Sequence, residues 1–126
     1  MSEYIYFNSR DELLRVEAAN LVYFEADGNY TRIVLANGFV GIVCMNLSKM
    51  EKMLSLSLKA KAKVFARVGK RHIVNLNYIL KINALQQSLV LSDQKSFQFE
   101  LNVSKDALKV LKDLYGPKKE QNSDTA

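Results

Sequence analysis

Short runs of Val, Ile, Leu, Tyr and Phe recur along most of the chain, each closed by Gly, Asn, Asp or Ser, and this punctuation constrains the fold more than any other feature. In the first half the runs are Tyr4 to Phe7, Leu13 to Glu17, Leu21 to Glu25, Tyr30 to Leu35 and Phe39 to Met45. β-Branched and aromatic residues fit a pleated, half-buried surface, so these segments predict strands. Asn37 and Gly38 suit the positive φ of a tight hairpin turn, and Asp27, Gly28 and Asn29 suit a slightly longer one. Two adjacent hairpins are expected.

The period then changes. Leu47, Met50, Leu54 and Leu58 fall on one helical stripe, with Asn46 or Ser48 available as cap and Ser48 with Glu51 spaced for a capping box. Lys59 to Lys63 alternates Lys with Ala and reads as an exposed connection. Strand-like runs resume at Val64 to Val68, His72 to Asn75, Tyr78 to Ile82, Ser88 to Leu91 and Ser96 to Leu101, for a total of about ten short strands. A last helix from Lys105 to Tyr115 opens on Ser104 and stops at Gly116 and Pro117. The tail after Pro117 has no large apolar side chain, so residues 1–116 are expected to form the domain and 117–126 a disordered C-terminal tail.

A chain of 126 residues suits one domain with its own core. The formal charge of +5 favours a polyanionic partner without compelling one, and its distribution says more. From Lys52 to Lys81 there are eight basic residues (Lys52, Lys59, Lys61, Lys63, Arg67, Lys70, Arg71 and Lys81) and no Asp or Glu. A solvated face is the bland alternative to a polyanion contact for such a run. Cys44 is the only cysteine, which rules out an intramolecular disulfide, suits a reducing cytosol and reads as a small buried apolar residue. The first ten residues lack the pattern of an export signal, and no apolar run reaches the ~20 residues needed to cross a bilayer.

Catalysis needs convergent reactive groups, and one His, one Cys and scattered carboxylates do not supply them. The chain is expected to be no enzyme, to use no cofactor and to hold no metal. His72 reads as structural rather than as a ligand or base. The segment Phe65 to Asn75 is more informative: a strand breaks at Gly69, and Lys70 and Arg71 follow at what should be a loop tip. Arg can fork onto guanine O6 and N7 while neighbouring lysines neutralise phosphates, although a solvated turn would show the same residues. The aromatic residues Tyr23, Phe24, Phe39, Phe65, Phe97 and Phe99 read as core rather than as a base-stacking platform, which disfavours single-strand and RNA binding. Tyr30 borders a turn and could face either core or DNA.

In this order and at these spacings, several segments together resemble the LytTR DNA-binding domain of bacterial transcription regulators. They are Leu21-Val22-Tyr23-Phe24-Glu25 with Asp27-Gly28-Asn29-Tyr30-Thr31; Asn46-Leu47; Phe65-Ala66-Arg67-Val68; Ile73-Val74-Asn75-Leu76 with Ile79; and Val103-Ser104-Lys105. The resemblance implies a mainly β, elongated, sandwich-like fold of about ten mostly antiparallel strands in small packed sheets with two short helices. It also implies that double-stranded DNA is read by loops and helix starts. Carried over, the contacting positions are Asn29, Thr31 and Arg32; Asn46, Ser48 and Lys49; Lys70 and Arg71; and Ser104 and Lys105. Lys59, Lys61 and Lys63 would be outlying phosphate contacts.

The central loop departs from the family's commoner pattern, with Gly69 in place of a frequent His, Arg71 of a frequent Ser and His72 of a frequent aromatic residue. Lys105 stands where Arg is frequent, and Lys lacks the planar fork for bidentate contact. Most family members join this domain to a phosphoryl-accepting receiver, and with so few residues before the first LytTR-like strand no receiver is expected within this chain. Regulation is then expected through expression level, a ligand, a homodimer on repeated half-sites or a separate partner protein. The competing expectation is an interaction module that kept the fold and lost DNA binding.

Overall fold

In the computed structural model, which describes residues 3–116, ten strands form three antiparallel sheets. The expected tail 117–126 lies outside the described residues. The strands are β1 (Tyr4–Asn8), β2 (Leu13–Glu17), β3 (Leu21–Asp27), β4 (Tyr30–Leu35), β5 (Val40–Val43), β6 (Phe65–Val68), β7 (His72–Asn75), β8 (Ile79–Asn83), β9 (Ser88–Ser92) and β10 (Gln98–Asn102). Helix α1 (Leu47–Leu58) joins β5 to β6 through a 3-10 segment, Lys59–Val64, and α2 (Lys105–Tyr115) follows β10. A mainly β body with two short helices is what the residue pattern predicts.

The central sheet runs in the order β5-β4-β3-β7-β6. One face carries Leu21, Phe24, Ile33 and Ile73 and is covered by the β1-β2 hairpin, through Ile5, Phe7 and Val16, and by the α1 stripe of Leu47, Met50, Leu54 and Leu58. The other carries Val22, Val68 and Val74 and is covered by the β10-β9-β8 sheet, through Leu89, Leu91 and Leu101, and by Leu108 and Leu111 of α2. Burying both faces explains why β3 and β7 read as near-continuous apolar runs instead of alternating ones. A bulge between Leu21 and Tyr23 lets Val22 and Tyr23 both join the second cluster.

Several local expectations differ from the structure, each for a visible reason. The hairpin at Gly28 and Asn29 is the shorter, because Asp27 pairs with Tyr30, whereas the other connection runs from Val34 to its partner Val40. There only Gly38 takes positive φ, at 90°, and the Asn37 side chain accepts from Phe39 N at 2.9 Å. Asn46, not Ser48, caps α1, its Oδ1 accepting from Lys49 N at 2.9 Å, so no Ser48–Glu51 capping box forms. Cys44 is exposed, because it continues the in-and-out alternation of β5 on the same outward parity as Val40 and Ile42. Phe39 is 48% exposed, since it lies in the connection just before β5, at the edge of the central sheet. Lys59 to Lys63 is the exposed connection expected, wound into 3-10 turns.

The ring of Phe24 is fully buried and meets Phe65 edge-on at 6.0 Å. Phe24→Ala should therefore cost about 3–5 kcal/mol by cavity formation, seen as a lower denaturant midpoint at unchanged slope. Phe39→Ala should change stability by less than about 0.5 kcal/mol.

Candidate nucleic-acid interface

Antiparallel register gathers one set of loops at one end of the central sheet. The C-terminal ends of β3, β5 and β6 lie there beside the starts of β4 and β7. The Gly28–Asn29 turn, the link from β5 into α1 and the Gly69–Arg71 loop are thus neighbours by topology. Cross-links fix them: Ala26 N donates to Arg71 O at 2.8 Å, and Thr31 Oγ1 donates to Met45 O at 2.6 Å. The start of α2 joins the same end. A Cβ added at Gly69 would lie 3.5 Å from Ala107 Cβ and 3.9 Å from Val103 Cγ1, and a groove there is lined by Lys70, Arg71, His72, Asn102 and Ser104.

Gly69 has φ +64°, a conformation that L side chains rarely adopt, and it turns the chain so that Lys70 and Arg71 project from the tip. Arg67 braces this loop from behind. Its Nη1 donates to Glu51 Oε1 at 2.8 Å and its Nη2 to Lys70 O at 3.2 Å, tying the turn to α1. Glu51 serves this link and takes no part in a cap.

The structure brings most of the sequence-predicted positions to this end and leaves them accessible: Asn29, Ser48, Lys49, Lys70, Arg71 and Lys105 are exposed. Asn46 and Ser104 are exposed too, with side chains engaged as helix caps, the latter accepting from Ala107 N at 3.3 Å. Both helices therefore present their opening turns here, with the partial positive charge that unpaired N–H groups carry. Two expectations change. Thr31 is fully buried and its hydroxyl is committed to Met45, so it positions the entry to α1 and is not placed to touch a ligand. Lys59, Lys61 and Lys63 sit at the opposite end of the sheet, where α1 finishes and β6 begins, and Lys61 pairs with Glu3 at 3.5 Å. The acid-free basic run is therefore no single patch.

Sequence reasoning also missed the role of Glu25. Its carboxylate faces Arg32 Nε at 3.6 Å, Arg71 Nη2 at 3.7 Å and His72 Nε2 at 3.3 Å. Its cross-strand partners are Arg32 on one side and His72 on the other, and only this register, invisible in the sequence, brings them together. His72 is buried, and burial pushes its imidazole below the ordinary value against the opposing pull of Glu25. The neutral ring donates through Nε2 to Glu25 and lies 6.2 Å from the Tyr23 ring, whose phenol burial raises.

A two-sided β body with cationic loops and helix starts at one end suits that end to a polyanion. The chain belongs to the LytTr DNA-binding domain family, whose model matches residues 11–116. It is 28% identical over 107 residues to the heme-containing CO-sensing transcriptional regulator RcoM 1 of Paraburkholderia xenovorans (strain LB400), covering 85% of this chain and 38% of that protein. With RcoM 2 of the same strain it shares 30% identity over 112 residues, covering 89% of this chain and 39% of the relative. The chain thus spans less than two-fifths of those relatives. In fold it is similar to the LytTr DNA-binding domain of a Bacillus cereus protein described as a methyl-accepting/DNA response regulator, with TM-score 0.63, 22% identity and coverage of 91% and 98% of the two chains. The family is one of DNA binding, not of enzymes, and among the described residues no helix is long and apolar enough to cross a membrane.

The depressed His72 value has a consequence for stability. Its folded-state pKa lies below the unfolded one, so the stabilisation is full above about pH 6.5 and is lost as pH falls through that value. Thermal midpoints should accordingly decline as pH falls below about 6.5. His72→Phe should flatten that decline, and an unchanged slope would exclude His72 as its source.

Proposed function

We propose that this chain binds a specific double-stranded DNA site through the loop end of its central sheet and acts as a bacterial transcription regulator. The observation that carries the reading is the meeting of the Gly69–Arg71 loop with the start of α2, which lets Lys70, Arg71 and Ser104 line one groove. In this reading Lys70, Arg71 and Lys105 enter major grooves and contact base edges. The opening turns at Asn46, Ser48 and Lys49 and at Ser104 take phosphate oxygens, which fixes register without reading sequence. Asn29 and Arg32 flank the site, and contacts to two grooves from one face favour a bent duplex.

One domain of this size makes few base contacts, so two copies on repeated half-sites would be the natural route to useful specificity. A homodimer on DNA and a separate regulatory partner protein belong to the same proposal. So does a cytoplasmic location. The rival reading, an interaction module without DNA binding, is disfavoured by the accessible Lys70, Arg71 and Lys105 at one end.

Selection of bound duplexes from a random pool tests the proposal, and a pool that does not enrich sinks it. On the selected site, Lys70→Ala and Arg71→Ala should each cost about 1–3 kcal/mol and relax preference at one position. Equal losses on selected and scrambled duplexes would refute base readout by these two residues. Lys59→Ala, at the far end of the sheet, should leave both affinities unchanged.

A further inference from the structure

Glu25 is an acidic group at the end of the molecule where the proposed function requires a polyanion, and its surroundings give it a task. Across the second face of the central sheet one row reads Ile42, Arg32, Glu25, His72 and Val68, set by strand register. Within it the Glu25 side chain is only 26% exposed and His72 only 5%. Arg71 adds its charge from the adjoining loop, with its carbonyl held by Ala26 N and its side chain 68% exposed. Of the three groups on the carboxylate, Arg71 is the most exposed, at 68% against 38% for Arg32 and 5% for His72, and the one on a loop, so it is the group a ligand can most readily take away.

A carboxylate in that place acts differently on two kinds of duplex. Where DNA offers Arg71 only phosphate oxygens, Glu25 repels the same phosphates and keeps part of the guanidinium charge for itself. Where DNA offers the paired acceptors of a guanine edge, Arg71 gains a planar fork in exchange for a loose contact at 3.7 Å. Discrimination of this kind comes from penalising the wrong partner. We infer that Glu25 is a specificity-determining positioning residue, holding Arg71 beside the sheet end and disfavouring any duplex that gives Arg71 no paired acceptor in return. The inference rests on the DNA-reading proposal and adds to it the group that rejects unspecific sites.

The test uses the full chain, a duplex selected from a random pool and a scrambled duplex of equal length, with affinities measured against salt. Glu25→Gln should tighten scrambled binding by about fivefold and selected binding by less, so the ratio of the two affinities falls. The salt dependence on scrambled DNA should steepen by about one unit of slope, as for one more neutralised phosphate. In an Arg71→Gln background the Glu25→Gln change should no longer alter the ratio. Arg71→Lys, which leaves the row intact and keeps the charge without the fork, should lower the ratio at unchanged slope. Equal effects of Glu25→Gln on both duplexes, a ratio change that persists without Arg71, or an unchanged ratio in Arg71→Lys each overturn the inference. A pool that fails to enrich overturns the DNA-reading proposal and this inference with it, whereas an enriched pool with an unchanged ratio overturns this inference alone.

Discussion

Burial of both faces of the five-stranded sheet is the constraint on which the rest depends. With one face under the β1-β2 hairpin and α1 and the other under the β10-β9-β8 sheet and α2, the sheet can meet a large partner only at its edges and ends. Antiparallel order then makes the two ends unequal. One collects the Gly28–Asn29 turn, the Gly69–Arg71 loop and both helix openings, while the other collects the 3-10 turns and the start of β6. Loops held this way share the rigidity of the core beneath them, so their side chains are placed before any ligand arrives. Placement in advance lowers the entropic cost of binding, which matters for a site with few contacts.

The loop end is held by polar bonds as well as by packing. Thr31 to Met45, Ala26 to Arg71 and Arg67 to both Glu51 and Lys70 each tie one loop to a neighbouring element. The first is partly buried, with the Thr31 side chain fully enclosed, so losing the hydroxyl would leave the Met45 carbonyl without this donor at a cost of about 1 kcal/mol. The Arg67 link is exposed, and screening makes such a contact worth little stability. Its value is geometric, since it sets the direction in which Lys70 points.

Much of the fold was legible in the residues because local signals were strong. The spans of β2, β4, β7 and α2 coincide with those expected, and every member of the α1 stripe is buried. Where the reading failed, the missing information was non-local. Phe39 has the chemistry of a core residue, and its place in the turn before the edge strand β5 exposes it. Thr31 has the chemistry of a contact residue, and only pairing with Val43 turns it inward. Lys59 to Lys63 lies close to Lys70 in the chain yet at the other end of the sheet, because β6 spans the distance between them. Glu25 was visible as part of a motif, but its partners come from β4, β7 and a loop whose adjacency no spacing encodes.

The charge pattern of the site follows from what a small reader must solve. Cations draw any duplex, and each one added strengthens binding to every sequence alike. Selectivity has to come from groups that help on one sequence and not on others, and a bidentate contact contributes only about 1–3 kcal/mol of discrimination. A basic surface with no opposing charge would therefore gain affinity faster than specificity. At this sheet end, Glu51 is matched by Arg67, and Glu25 by Arg32 and Arg71. Lys70 and Lys105 remain exposed beside them. Much of the positive charge is thereby compensated within the protein, which on the proposed function would limit non-specific attraction and leave loop geometry to decide which sequence is held.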